Sequence, residues 1–280
     1  MTGRTARRRG TQILADQGQA SERADLLAAE EPIGIRISGQ AVSMTMRTPG
    51  DDVDLTAGFL FSEGFISSAA DIASIRICDG TQCGHDHDAD DAMGNIADVA
   101  LRPGLPMPTE RLRNFLTSSA CGVCGKTSIE ELLVPGRFDL FEDQVRVTAD
   151  VLAGLPDALR RAQRVFARTG GLHAAGLFTA EGELLVVRED VGRHNAVDKV
   201  VGWALQAGRL PLRRCVLVVS GRASFELGQK AVLAGIPVLA AVSAPSSLAA
   251  ELADEAGLTL AGFVRGRSMN VYTGPQRISV

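Results

Sequence analysis

Apolar and polar residues alternate at Ile33, Ile35 and Ile37, the chain turns at Ser38-Gly39-Gln40, and Val42, Met44 and Met46 alternate again. Period two on both sides of a short turn predicts a β-hairpin. The thirty or so residues before it are polar and Ala-rich with neither period, so residues 1–30 read as a disordered start. After the Pro49-Gly50 breaker, Asp52 and Asp54 suit a first helical turn and the apolar residues that follow keep helical spacing, which predicts a helix from about Asp52. Short strands near residues 72–78 and 96–101 flank the polar loop CDGTQCGHDHDADDAMG. Further helices are predicted near 110–116 and over 156–167, the latter stopping at Gly170 and Gly171.

Beyond residue 170 the rhythm becomes regular. HAAGLFTA and ELLVVRED read as strands joined at Glu181-Gly182, and RHNAVDKVVGWALQAG as a helix. RCVLVVS, SFELGQKAVLAG, IPVLAAVS, SSLAAELADEAG and LTLAGFVRG continue as strand, helix, strand, helix, strand. Apolar strands alternating with helices of about a dozen residues imply a largely parallel sheet covered on both faces. The predicted class is α/β with a three-layer mixed sheet: a core over 151–280, preceded by a hairpin-containing α+β subdomain over 31–150.

Ligands of such sheets settle beyond the carboxyl ends of the strands. Those ends run into REDVGRHN, SGRAS, SAPSS and RGRS, which sets Arg193, His194, Arg222, Arg265 and Arg267 on one rim. Each loop alone is ordinary punctuation with surface arginines. Four together, two of them opening helices whose free N–H groups attract anions, favour a phosphate-bearing ligand. No G-x-x-x-x-G-K-[ST] or G-x-G-x-x-G follows a strand, so a P-loop or an ordinary dinucleotide fold is not indicated. His194 and Asp198, like Asn195 and Lys199, lie four apart and form a polar stripe facing away from Val197, Val200, Val201 and Leu205. With no second His or Cys at ligand spacing, His194 reads as a hydrogen-bonding group rather than a metal ligand.

Composition narrows the classes. The 280 residues are 45% apolar, enough for a sizeable core, and the net charge of −4 with interspersed signs gives no generic grip on nucleic acid or an anionic membrane. No apolar run has the length of a membrane span, and the opening MTGRTARRRG lacks the apolar core of a secretory signal, so a cytoplasmic chain is expected.

Five cysteines are present, and two sit three apart in SSACGVCGKTSIEEL. Thr127 and Glu130 form a capping box, so Cys121 and Cys124 precede a helix whose N-terminus, with Lys126, favours thiolate over thiol. A zinc half-site would need two further ligands, for which Cys78, Cys83, His85 and His87 are candidates. A thioredoxin-like pair would need a strand leading into the motif. A zinc deaminase would need Pro before the first Cys and a His-x-Glu, and this chain has Ala120 and no His-x-Glu. Sulfur carriage, with one thiolate holding a sulfane sulfur as persulfide, uses the same exchange chemistry as disulfides. The thiol turn by itself leaves zinc and reactive sulfur about even.

The segments TPGDDVDLTAGFLFSEGFI, SSACGVCGK, GGLHAAGLF, EDVGRHNAVDKVVG, SGRASFELGQKA, SAPSSLAAELA and LAGFVRGRSMNVYT together resemble the formate dehydrogenase accessory sulfurtransferases, the FdhD family, from about Ile33 to the C-terminus. The resemblance implies a cytoplasmic homodimer with a core like that of cytidine deaminase but without its zinc. It implies transfer of sulfur from a cysteine desulfurase to molybdenum bis(molybdopterin guanine dinucleotide), bound as substrate, for formate dehydrogenase, with no resident metal. The family's persulfide cysteine matches Cys121 and its partner thiol Cys124. The family's cofactor-binding segment matches Phe263, Val264, Arg265, Gly266, Arg267 and Ser268, with Arg222 and His194 expected beside it. Nothing in the resemblance reaches Cys78, Cys83, His85 or His87.

Overall fold

The structure, a computed structural model, describes residues 3–78, 95–104 and 137–280. The helix predicted near 110–116, the thiol turn with Cys121 and Cys124, and Cys83, His85 and His87 lie outside the described residues.

The predicted hairpin is β3 (Glu31–Ile37) and β4 (Gln40–Arg47), paired antiparallel. With β5 (Ile72–Cys78) and β6 (Ile96–Leu101) it forms a four-stranded sheet in the order β4-β3-β6-β5. Ile33, Ile35 and Ile37 are fully buried, as their alternation requires. Helix α1 (Asp52–Ser62) covers this sheet.

Residues 1–30, expected to be disordered, instead contain paired strands. β1 (Thr5–Leu14) and β2 (Gln19–Ala28) form an antiparallel ribbon in register from Thr5↔Ala28 to Leu14↔Gln19. Neither face of the ribbon is buried, so its sequence carries no alternation to reveal it. Its base is tied down by the Arg4–Asp51 ion pair and by Ala29 N donating to Arg4 O at 2.9 Å.

The larger sheet runs β13-β12-β11-β10-β8-β9, built from β8 (His173–Thr179), β9 (Leu184–Asp190), β10 (Cys215–Val219), β11 (Val238–Ala241), β12 (Thr259–Arg265) and β13 (Ser268–Thr273). It is mixed, as the predicted class has it, with less parallel pairing than the strand–helix alternation implies. Only β10–β11 and β11–β12 pair in parallel, because β8–β9 and β12–β13 are joined by short turns that reverse the chain. The short β7 (Val147–Thr148), which a boundary at 150 assigns to the first part, pairs with β14 (Ile278–Ser279) at the end of the chain.

The helix expected over 156–167 begins at Ala149. The Thr148 hydroxyl caps it by accepting from Val151 N at 3.2 Å, and Pro156 sits inside it rather than at its start. This helix, α2 (Ala149–Ala162), packs Leu152, Leu155 and Leu159 on one face of the large sheet, against Phe178, Val216 and Val218. A separate turn, α3 (Phe166–Thr169), follows, its start fixed by the Glu189 carboxylate, which accepts from Val165 N at 2.9 Å and Phe166 N at 2.7 Å.

Helices α4 (Arg193–Gln206), α5 (Phe225–Leu233) and α6 (Ser247–Glu255) lie against the other face. There one continuous apolar cluster joins Ile35 and Leu60 to Val201, Leu217 and Leu239, so the two sheets share a core. α1 and α4 meet at glycines. A Cβ on Gly58 would stand 1.9 Å from Asp198 O, and one on Gly202 1.8 Å from Asp54 O, so only hydrogen fits at this crossing.

Candidate functional site: a cavity beyond the strand ends

β9, β10, β11 and β12 run in one direction, and their carboxyl ends, with the start of β8, share one edge of the large sheet. On the α2 side of that edge opens a cavity of about 580 Å³. That is within the usual range for small-molecule pockets, roughly 300–1,000 Å³. Leu159, Leu172, Val191, Val242 and Val264 make its walls apolar. Arg160, stacked 4.0 Å over the Phe166 ring, and Arg265 are exposed cations at its rim.

Three polar side chains sit deeper. Ser220 Oγ is occupied, accepting from Ala174 N at 2.9 Å. His173 is half-buried, and desolvation, reinforced by Arg193 and His194 and only partly opposed by Asp190, holds its imidazole below the ordinary 6.5. Gln163 is 3% exposed and lines the cavity, and its Nε2 has no hydrogen-bond partner among the described residues.

The strand-end segment Phe263–Ser268 is shaped by a bulge. Between Gly262↔Asn270 and Arg265↔Ser268 the β12 side carries one residue more than the β13 side, and Phe263 takes φ 53°. The bulge buries Val264 and turns Arg265 and Gly266 to the cavity. Arg267 instead pairs with Asp150 at 2.8 Å, both highly exposed.

The other side of the edge is filled. The stripe on α4 that was expected to face away from the core is buried, because α1 and the chain after β4 cover it. Asp190 accepts from Lys199 Nζ at 2.7 Å, Thr48 N at 3.1 Å, Gly192 N at 2.8 Å and Asn195 Nδ2 at 3.0 Å. Asp198 accepts from Lys230 Nζ at 2.7 Å and Ser62 Oγ at 2.9 Å. Burial pushes Asp198 upward despite Lys230, whereas for Lys230 the attraction of Asp198 and Glu63 outweighs desolvation and raises it. His194 Nε2 meets Glu226 Oε2 at 2.7 Å and lies 3.4 Å from Ser224 Oγ. Burial pushes Glu226 up, but His194 outweighs it and leaves the carboxyl below its usual value.

A family model described as the FdhD/NarQ family matches residues 28–279. The chain belongs to the FdhD/NarQ family. A relative from Nocardia farcinica named sulfur carrier protein FdhD is 56% identical, over 99% of this chain and 96% of its own length. One of the same name from Mycobacterium tuberculosis is 54% identical, over 98% of this chain and 99% of its own. A crystal structure from Desulfotalea psychrophila, described as a formate dehydrogenase accessory protein, superposes with a TM-score of 0.74 at 25% identity, covering 98% of this chain and 99% of the other.

Of the residues singled out from the sequence, this FdhD/NarQ chain brings Val264, Arg265 and Gly266 to the cavity. It leaves Arg222, Arg267 and Ser268 exposed and turns His194 to Glu226. Gln163, His173 and Arg160 were not anticipated. Gln163 ends a helix whose bounds were misplaced, and a lone Gln carries no motif. His173 stands in GGLHAAGLF, where only its place as the first residue of an antiparallel strand brings it to the ligand edge. Of the described cysteines, Cys78 ends β5 and is buried. Cys215 is buried too, and burial pushes its thiol up to about 11, which leaves it protonated and inert at neutral pH. Among the described residues no three His, Cys, Asp or Glu side chains converge as a metal site requires, and no helix is long and apolar enough to cross a membrane.

Proposed function

We propose that this chain is a cytoplasmic, homodimeric sulfur carrier serving formate dehydrogenase. Cys121 accepts sulfur from a cysteine desulfurase as a persulfide, and molybdenum bis(molybdopterin guanine dinucleotide) docks as substrate over the cavity beyond β10–β12. The observation that carries the reading is an apolar cavity with exposed Arg160 and Arg265 at its mouth, on the strand-end segment that resembles the family's cofactor-binding stretch. Relatives more than half identical over nearly the whole chain, named as sulfur carriers, support the same reading.

In the loading step the Cys121 thiolate attacks the terminal sulfur of the desulfurase persulfide. A new S–S bond forms at Cys121, the donor's S–S bond breaks, and the donor leaves as a thiol after taking a proton. The carried sulfur is at the sulfane level, and two electrons convert it to sulfide. If the Cys124 thiolate attacks the Cys121 sulfur, a Cys121–Cys124 disulfide forms and the terminal sulfur departs as hydrosulfide toward the metal, so the two thiols supply both electrons. The arginines meet pyrophosphate with charge-assisted hydrogen bonds.

The test is the mass of the intact protein after incubation with desulfurase and cysteine. A gain of about one sulfur, about 32 Da, that reductant removes and that Cys121→Ala lacks is expected. An unmodified wild type overturns the carrier reading. If Cys121→Ala still supports formate dehydrogenase activation while removal of Arg265 does not, the protein acts as a binding chaperone.

A further inference from the structure

The ribbon of β1 and β2 stands on the rim of the cavity. β2 packs at its base on α3, and a Cβ on Gly171, which lines the cavity, would lie 3.5 Å from the Ala28 Cβ. From there the two ten-residue strands extend about 33 Å, exposed on both faces over most of that length. A two-stranded ribbon with no helix or third strand against it is marginal in water, so its outer part gains from a partner. Among the described residues no strand pairs with the free edge of β1.

The two edges differ in charge. β1 reads TARRRGTQIL, with Arg7, Arg8 and Arg9 exposed and no acid, whereas β2 carries Glu22 and Asp25. Among the described residues the three guanidinium groups form no ion pair, and Arg8 Nη1 reaches only Arg7 O, at 3.3 Å. Three adjacent cations repel a second copy of the same strand and attract an acidic one. Main-chain groups are available as well. Ala29 N donates to Arg4 O, directly opposite in the register, so by alternation Arg7, Arg9, Thr11 and Ile13 aim their N–H and C=O groups away from β2. Ile13, 71% exposed, adds an apolar anchor at the far end, and the exposed Arg164 and Arg168, beside and on α3, carry positive charge from the base toward Arg160 at the cavity mouth.

We propose that the outer edge of β1 is a docking strand, and that it takes up by strand addition an acidic extended segment of the protein that receives the cofactor. This rests on the reading that the cofactor docks over the cavity and passes to formate dehydrogenase. The protein held at the cavity mouth is then the receiver, whereas a sulfur donor has to face Cys121. Nucleic acid fits less well, since phosphates use neither the outward main-chain groups nor Ile13.

The experiment measures equilibrium binding of cofactor-free formate dehydrogenase to the full chain and to two variants, at low and at physiological ionic strength. In one variant Arg7→Glu, Arg8→Glu and Arg9→Glu are combined, which reverses the charge of exposed side chains. In the other, Thr11→Pro keeps every charge and removes an N–H that points away from β2. The wild-type complex is expected to weaken with salt, the charge-reversed variant to bind about ten- to a hundredfold more weakly at low salt with a flatter salt dependence, and Thr11→Pro about tenfold more weakly at both. Both variants should gain the Cys121 sulfur as wild type does, which shows them folded and open to the donor.

Wild-type affinity in both variants overturns the proposal and leaves the arginines as guards of an exposed edge. Wild-type affinity in Thr11→Pro alone overturns strand addition. Tighter binding of random-sequence duplex DNA than of the dehydrogenase assigns the ribbon to nucleic acid instead, and loss of Cys121 loading in the charge-reversed variant assigns it to the sulfur donor. A wild type that loads Cys121 but does not bind the dehydrogenase overturns the docking strand while the carrier reading stands. One that binds the dehydrogenase through β1 without loading Cys121 does the reverse.

Discussion

The two faces of the large sheet meet at one edge and treat polar groups in opposite ways. On the α4 face Asp190, Lys199, Asp198 and Lys230 are buried and paired, drawing in Asn195 of α4 itself, Thr48 after β4 and Ser62 of α1. On the α2 face the walls are apolar, Arg265 is exposed and the Gln163 amide is unpaired among the described residues. Arg193 Nε, at the start of α4, is buried without a hydrogen-bond partner among the described residues; for the rest of that face saturation marks structure. The motif EDVGRHNAVDK, chemically the richest run in the chain, therefore serves chiefly to lock the four-stranded sheet and α1 onto the large sheet. The groups at the cavity come partly from the strand-end segment, as Arg265 does, and partly from positions that no motif announces, as Gln163 and His173 do.

The largest effect that would break this contrast is expected at Lys199. Both Lys199 and Asp190 are wholly buried, so Lys199→Met strands a carboxylate in the core and should cost about 3–5 kcal/mol of unfolding free energy. Adding Asp190→Asn removes the orphaned charge and should recover part of that loss, because the amide oxygen can still accept from Gly192 N and Asn195 Nδ2. Urea denaturation of the single and double variants checks it. A Lys199→Met protein as stable as wild type would mean that the paired face is not what holds the two sheets together.

A smaller loss is expected at the helix crossing. Gly202→Ala forces a methyl against the backbone of α1, and helix separation should cost about 1–3 kcal/mol, while the gain in helix propensity offsets less than about 1 kcal/mol. Nucleotide binding at the cavity should survive wherever the variant is folded, because α1 and α4 lie on the opposite face. Loss of binding at unchanged stability would couple the two faces and blur the distinction between them.

How much of this was legible depended on which physical signal each element carries. The Ile33–Ile37 alternation, the helix from Asp52 and the strand–helix rhythm after residue 170 were readable because burial imposes a period. β1 and β2 were not, because a ribbon exposed on both faces imposes none. The start of α2 was missed because Pro156 looked like a first helical residue, and the true signal was Thr148 as cap. The rim was placed correctly as an edge, but not the division of its side chains between faces. His194 and Arg265 look alike in sequence as polar residues past a strand, yet Glu226 on α5 claims the first, and the β12 bulge turns the second to the cavity. Such distinctions depend on partners far away in the chain.

The smallest expected effect concerns His173, which sits at the junction of the two faces. Desolvation, then Arg193 and His194, lower its folded-state pKa, with Asp190 on β9 only partly compensating. A depressed imidazole takes up its proton more readily in the unfolded chain, so its contribution to stability is present above the ordinary value of 6.5 and is lost as pH falls through the folded value. Wild type should therefore melt lower on acidification below about pH 6.5, and His173→Gln should flatten that slope without changing the melting temperature near pH 8. An identical pH profile in His173→Gln would place the imidazole in solvent and remove it from the cavity wall, leaving Gln163 as the deepest polar group there.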